Sequence, residues 1–248
     1  MNIQAIKTRI YNEHEDLISF LIEYLPGTLS EKSIVVVTSK IVALTEGRTA
    51  RIADEVEREA LIRQESSWAL ETKHTWLTIT DGMVMASAGI DESNADGKII
   101  LLPKNSFRSA EEIRKKLMEH YHVQNLGVLI TDSRTIPLRA GIVGVALGYA
   151  GFKGIRDYRG TPDIFGRILK MSRTNVADSV ATAAVLEMGE GNEQQPLAIV
   201  IGARIDFIDQ IDIQELFIDP MDDMYRPFFE NISDEDIHST KDDFSTNN

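Results

Sequence analysis

A chain of 248 residues with a formal net charge of −13 and no cysteine is long enough to bury roughly 70–75% of its unfolded surface without covalent staples. The missing thiols exclude a disulfide framework, a cysteine nucleophile and thiolate-held zinc or iron–sulfur centres. The acidic balance excludes a sequence-independent grip on nucleic acid or anionic membrane, while single arginines and backbone N–H groups can still hold an anionic nucleotide.

The first residues lack the apolar stretch of a signal peptide, and the longest apolar-and-glycine run, residues 140–152, is too short to span a bilayer. A soluble, cytoplasmic protein is expected. Leu17, Phe20, Leu21 and Tyr24 recur at helical spacing, and Pro26-Gly27 stops that helix. The β-branched run at residues 34–37 predicts a buried strand, and residues 53–64 a second helix. Residues 76–79 and 83–86 flank Asp81-Gly82, the signal of a tight hairpin, which delivers the chain to Gly89-Ile90-Asp91-Glu92-Ser93-Asn94.

Ser109 to Glu112 has the form of a capping box, followed by Ile113, Leu117 and Tyr121 on one helical face. Residues 127–130 predict a strand ending at Thr131-Asp132-Ser133. Gly141, Gly144, Gly148, Gly151 and Gly154 then follow, without the spacing of a dinucleotide fingerprint or a Walker loop. They predict close packing of elements or, as the rarer use, a backbone cradle for an anion. Residues 175–188 predict an alanine-rich helix with Asn175 as N-cap and Gly189 just past its end, and residues 197–201 a last strand. Residues 230–248 are acidic and polar and predict a loose tail. Strands and helices without strict alternation favour an α+β fold.

Two acidic loops are the candidate sites of chemistry. Asp91 and Asn94 offer a carboxylate and an amide oxygen, the hard donors preferred by Mg²⁺ or Mn²⁺. The same residues equally serve to organise a turn. Asp132, at the end of an apolar run, is either a strand-end cap or a carboxylate at a cleft edge. The five histidines show no metal-ligand spacing, and neither Ser39 nor Ser133 sits in a nucleophile elbow.

Six stretches together resemble the coenzyme F420-0:L-glutamate ligase family, and most closely its bacterial branch, described as folate-metabolism gamma-glutamate ligases. They are V-V-T-S-K-I-V-A-L-T-E-G-R at residues 36–48, A-G-I-D-E-S-N at 88–94 and I-T-D-S-R-T-I-P-L-R at 130–139. The others are G-Y-A-G-F-K-G-I-R-D-Y-R-G at 148–160, D-I-F-G-R at 163–167 and M-G-E-G at 188–191. The resemblance runs from about residue 6 to residue 202.

It implies a two-domain α+β subunit with mixed sheets in an intertwined homodimer. The expected division is residues 1–83 with 190–229, residues 84–189, and the tail at 230–248. The implied activity joins L-glutamate through its amine to a carboxylate of an F420-0-like or folate-like acceptor, with GTP or ATP and Mg²⁺ or Mn²⁺. By position Asp91, Asp132, Ser133 and Glu190 correspond to metal-binding residues. Ser39, Lys40, Asn94, Gly189 and Glu190 correspond to nucleotide contacts. Arg139, Arg159 and Arg167 are candidates for phosphate or substrate carboxylates. The chain departs from the archaeal pattern at Leu44, where lysine is expected, and at Ser133 and Glu190, which replace threonine and glutamine. A metal-dependent phosphohydrolase and a non-catalytic nucleotide- or metabolite-binding protein are the competing expectations.

Overall fold

A computed structural model describes residues 1–219 and 222–228 of the chain. In chain order the elements are β1 (Asn2–Ile6), α1 (Leu17–Tyr24), β2 (Ser33–Thr38), α2 (Ser39–Thr45), β3 (Thr49–Ala50), α3 (Glu55–Gln64), β4 (Trp68–Glu71), β5 (Trp76–Thr80) and β6 (Met83–Ala86). There follow β7 (Ile99–Ile100), α4 (Ser106–Tyr121), β8 (Leu126–Thr135), β9 (Ile142–Ala150), β10 (Ile155–Asp157), β11 (Arg173–Asn175), α5 (Val176–Met188) and β12 (Leu197–Ile201). The expected tail at 230–248 lies outside the described residues.

The central sheet has the order β1-β12-β2-β8-β9. Only β2 and β8 run parallel, in register from Ser33 beside Leu126 to Thr38 beside Thr131. The other neighbours are antiparallel. Ile34, Val35, Val36 and Val37 are all fully buried, as a strand covered on both faces requires. Val35 and Val37 pack with Leu17, Phe20 and Leu21 of α1, Ile41 of α2 and Ile113 and Leu117 of α4. Ile34 and Val36 pack instead with Ala177, Val180 and Ala184 of α5. The sheet is therefore the middle layer, and the alternation of β2 divides its side chains between two apolar clusters.

Three smaller sheets surround it: β4-β5-β6, β3-β7 and β10-β11. The mixed α/β class agrees with the sequence. The central sheet takes β1, β2 and β12 from the first expected segment and β8 and β9 from the second. Asp81 and Gly82 have φ of 50° and 71°, the paired left-handed conformation that closes a two-residue hairpin. Asp16, Asp54 and Asn175 cap α1, α3 and α5 by accepting from backbone N–H groups of the first turn.

Two expectations are corrected. Helix α4 begins at Ser106, not at the Ser109 box, because Asn105 accepts from the Arg108 N–H at 2.9 Å and caps it one turn earlier. Ser109 is already helical, and its hydroxyl lies 3.1 Å from Glu46 Oε1. Strand β8 does not stop at Asp132 but runs on to Thr135, because β9 continues to pair with it after β2 has ended. Gly144 and Gly148 are packing glycines, the first of the two uses expected. A Cβ on Gly148 would stand 2.3 Å from the Ser106 carbonyl carbon, and one on Gly144 2.6 Å from the Ala181 oxygen. They let α4 and α5 lie directly on β9. Strands β3, β4 and β7 have too little apolar alternation to have been foreseen.

Candidate active site

Strands β2 and β8 end their pairing together at Thr38 and Thr131. At that edge β2 turns into α2, placing Ser39 and Lys40, while β8 carries on past a register shift between Ile130 and Thr131 that accommodates one extra residue on β9. Asp132 and Ser133 thus lie on backbone freed on one side by the end of β2 and held on the other by Val145 and Gly144. The carboxyl ends of parallel strands are where open sheets present a crevice.

Asp91 reaches the same place from β6. Ser87, Ala88 and Gly89 take φ of 48°, 56° and 70° in succession, a tight reversal that costs about 1 kcal/mol or more at each residue other than glycine. The reversal is secured by reciprocal backbone hydrogen bonds of 2.9 Å between Asp91 and Ile100. The Asp91 side chain accepts from the Ser93 N–H at 2.6 Å, the turn-organising role that aspartate commonly plays. Its other oxygen faces Lys40, with Nζ 2.9 Å from Oδ2. Lys40 also donates to the Ser93 carbonyl at 2.6 Å and lies 3.3 Å from the Ser93 hydroxyl.

The fourth segment follows α5. Gly189, at φ 82°, ends the helix with its N–H on the Val185 carbonyl. Asn94 Nδ2 donates to the Gly191 carbonyl at 3.0 Å, and Ser133 Oγ lies 3.4 Å from Glu190 Oε2. The Gly191 N–H donates to Glu193. Asn94 therefore does more than shape its own turn: it ties the Asp91 loop to a segment 97 residues away.

These carboxylates act on one another. Burial pushes the Asp132 carboxyl up to about 7, and the charges of Asp91 and Glu190 push the same way, against the Ser133 N–H that favours its ionised form. Glu190 is also raised, first by burial and then by Asp91 and Glu193, against the Ser133 hydroxyl. Asp91 is different. Burial would raise it, but Lys40 and Ser93 together outweigh burial and hold it below the ordinary value. The site is a set of hard oxygen donors with Lys40, among the described residues, as their countercharge. Among the described residues, no group of three or more His, Asp or Glu side chains stands close enough to enclose a metal ion as positioned.

The structure brings together Lys40, Asp91, Asn94, Asp132, Ser133 and Glu190, with Ser39 and Gly189 at the adjoining element ends. It does not bring Arg139, Arg159 or Arg167 to them. Arg139 is exposed in the turn between β8 and β9, its N–H on the Ile136 carbonyl. Arg159 holds Asp157, with Nε 2.9 Å from Oδ2. Arg167 is exposed in a turn around Asp163. Ser93 and Glu193 were not foreseen. The D-E-S spacing was the available signal for Ser93, whereas Glu193 is one acid among many. Leu44 packs against Ala43, Ala95 and Ile100, behind the Asp91 loop.

The fold is mixed α/β, with carboxylates, a serine and a lysine gathered at the ends of two parallel strands. The family described as F420-0:Gamma-glutamyl ligase matches residues 5–202, and the chain belongs to it. Among curated relatives it is 42% identical over 156 residues to a coenzyme F420:L-glutamate ligase of Methanococcus maripaludis, covering 63% of this chain and 59% of the relative. It is 39% identical over 167 residues to that of Methanopyrus kandleri, covering 67% and 64% respectively. The enzyme of Methanocaldococcus jannaschii is 34% identical over 192 residues, 75% of this chain and 74% of the relative. The chain thus spans about three fifths of the length of the first two relatives. Among the described residues no helix is long and apolar enough to cross a membrane.

Proposed function

We propose that the chain is a gamma-glutamyl ligase that uses GTP or ATP, with Mg²⁺ or Mn²⁺, to join L-glutamate to a carboxylate-bearing cofactor of F420-0-like or folate-like kind. One observation carries this: Asp91, Asp132, Ser133 and Glu190 converge from three distant segments with, among the described residues, Lys40 alone to offset their charge. Mutually destabilised carboxylates fit a divalent cation, since hard oxygen donors and surplus negative charge are what such an ion relieves. Those four residues would hold it, and once bound it would screen a triphosphate and polarise the phosphoryl group in transfer.

The chain's own residues do the rest. Ser39, Lys40, Asn94 and the Gly189–Glu190 backbone contact the nucleotide, with Lys40 supplying positive charge where phosphates approach. The acceptor carboxylate takes the terminal phosphoryl group, and the glutamate amine attacks the resulting acyl phosphate, expelling phosphate and forming the amide. Positioning of three reactants in one crevice supplies much of the acceleration.

A homodimer belongs to the same proposal. Leu138, Ile164, Phe165 and Met171, on the β8–β9 and β10–β11 turns, are 88–104% exposed, and a second copy is the cover such arms call for.

The test is phosphate release that needs glutamate and acceptor together, with a product heavier by one glutamyl unit. Release independent of both marks a phosphohydrolase and overturns the proposal. Nucleotide binding without turnover on any acceptor overturns it in favour of a sensor.

A further inference from the structure

Lys40 fills the position in which a cation would meet Asp91. All three of its ammonium contacts go to one loop: Asp91 Oδ2 at 2.9 Å, the Ser93 carbonyl at 2.6 Å and the Ser93 hydroxyl at 3.3 Å. The other Asp91 oxygen is taken by the Ser93 N–H, so neither carboxylate oxygen is left without a partner. Lys40 is anchored at the start of α2, directly after β2, whereas the loop it holds lies 53 residues further along the chain. On its far side the loop is tied by Asn94 to Gly191. The Asp91 loop is therefore clamped between two segments, and the clamp on the Lys40 side is electrostatic.

We propose that Lys40 is a resident counter-cation, a positioning residue that holds the Asp91 loop in place before the divalent cation arrives and must leave Asp91 when it does. This rests on the assignment of Asp91 as a metal ligand made above. A divalent ion and the ammonium group compete for the same oxygen and repel each other, so either one weakens the other there. An incoming anionic phosphate gives Lys40 an alternative partner and vacates Asp91. Metal and nucleotide then favour each other's binding through one side chain, a reciprocal coupling.

The experiment is a Mn²⁺ titration of the whole protein without nucleotide, followed by electron paramagnetic resonance of free Mn²⁺. Wild type is compared with Lys40→Met, Lys40→Gln, Lys40→Arg and Asp91→Asn. Removing the positive charge in Lys40→Met and Lys40→Gln is expected to tighten Mn²⁺ binding by about tenfold, in the range of ordinary coupling energies. Lys40→Arg, which keeps the charge, is expected to stay as weak as wild type, and Asp91→Asn to lose the site. Unchanged or weaker binding in both uncharged variants, with Asp91→Asn still losing the site, overturns the role of Lys40 while leaving the metal assignment standing. Full Mn²⁺ binding by Asp91→Asn overturns both. The Gln variant keeps a polar group of similar length, so the comparison survives if the Met variant misfolds.

Discussion

Two regions of the molecule carry charged residues beside glycines, and they behave in opposite ways. Around Asp91, Asp132 and Glu190, polar side chains reach across long stretches of sequence, as in the contacts of Lys40 with Ser93 and of Asn94 with Gly191. In the arms around Arg139, Arg159 and Arg167 the contacts of these arginines close within a few residues, Arg139 on Ile136, Arg159 on Asp157 and Arg167 on Asp163. A local contact shapes a turn; a distant one builds a site. The family motifs run through both regions alike, so long-range convergence, rather than the motif, separates them.

The largest effect should come from the convergent region. Asp132→Ala is expected to lower glutamate-dependent phosphate release by about a thousandfold, of the order seen when transition-state charge stabilisation is removed. A loss of less than tenfold would break the comparison. Next in size is a stability effect at the packing glycines. Gly148→Ala, whose new methyl would meet the Ser106 backbone, should cost about 1–3 kcal/mol or more in a urea titration. Gly160→Ala, with open space around it but φ of 82°, should cost nearer 1 kcal/mol.

A smaller effect tests the cost of the site itself. The Asp132 carboxyl holds its proton up to about 7 in the folded chain and releases it near 4 when unfolded. Between those values the folded state binds more protons, so the contribution of Asp132 to stability falls as pH rises from about 4 to 7 and then levels off. In chelator, Asp132→Asn should therefore melt several degrees higher than wild type at pH 7.5, with the gain gone at pH 4. A gain independent of pH would mean that charge is not its cause. Smallest of all, Arg159→Ala is expected to change phosphate release by less than about tenfold, as for a residue held in a surface ion pair. A loss matching that of Asp132→Ala would move the arms into the site.

Much of the scaffold was legible because its signals are local. The 34–37 run, the Asp81-Gly82 hairpin and the Asn175-capped helix each declare themselves within a dozen residues. The capping box at Ser109 misled because serine and glutamate three apart fit the interior of a helix as well as its start, and only the Asn105 contact decides. The length of β8 was hidden for a different reason: Asp132 and Ser133 look like a turn until β9 is known to pair with them. In the site, Asp91 and Asp132 stood out as candidate carboxylates, but their metal assignment, and Ser133 altogether, came from the resemblance, since each in isolation is an ordinary turn residue. The Lys40–Asp91 contact was not legible at all, being set by how α2 and the 91–94 loop meet.

The strand order has a consequence for how the chain is made. Strand β1 leaves the ribosome long before β12, yet among the described residues β12, whose residues begin at Leu197, is its one neighbour in the central sheet. Until β12 emerges, β1 has nowhere to pair, and β2 has β8 on one side but an open edge on the other. Such non-local pairing slows folding and leaves edges exposed while it waits. Because the segment bearing Glu190 and Gly191 immediately precedes β12, binding competence and the closed sheet should arrive together, once β12 has emerged, and a nascent chain halted before β12 should have neither.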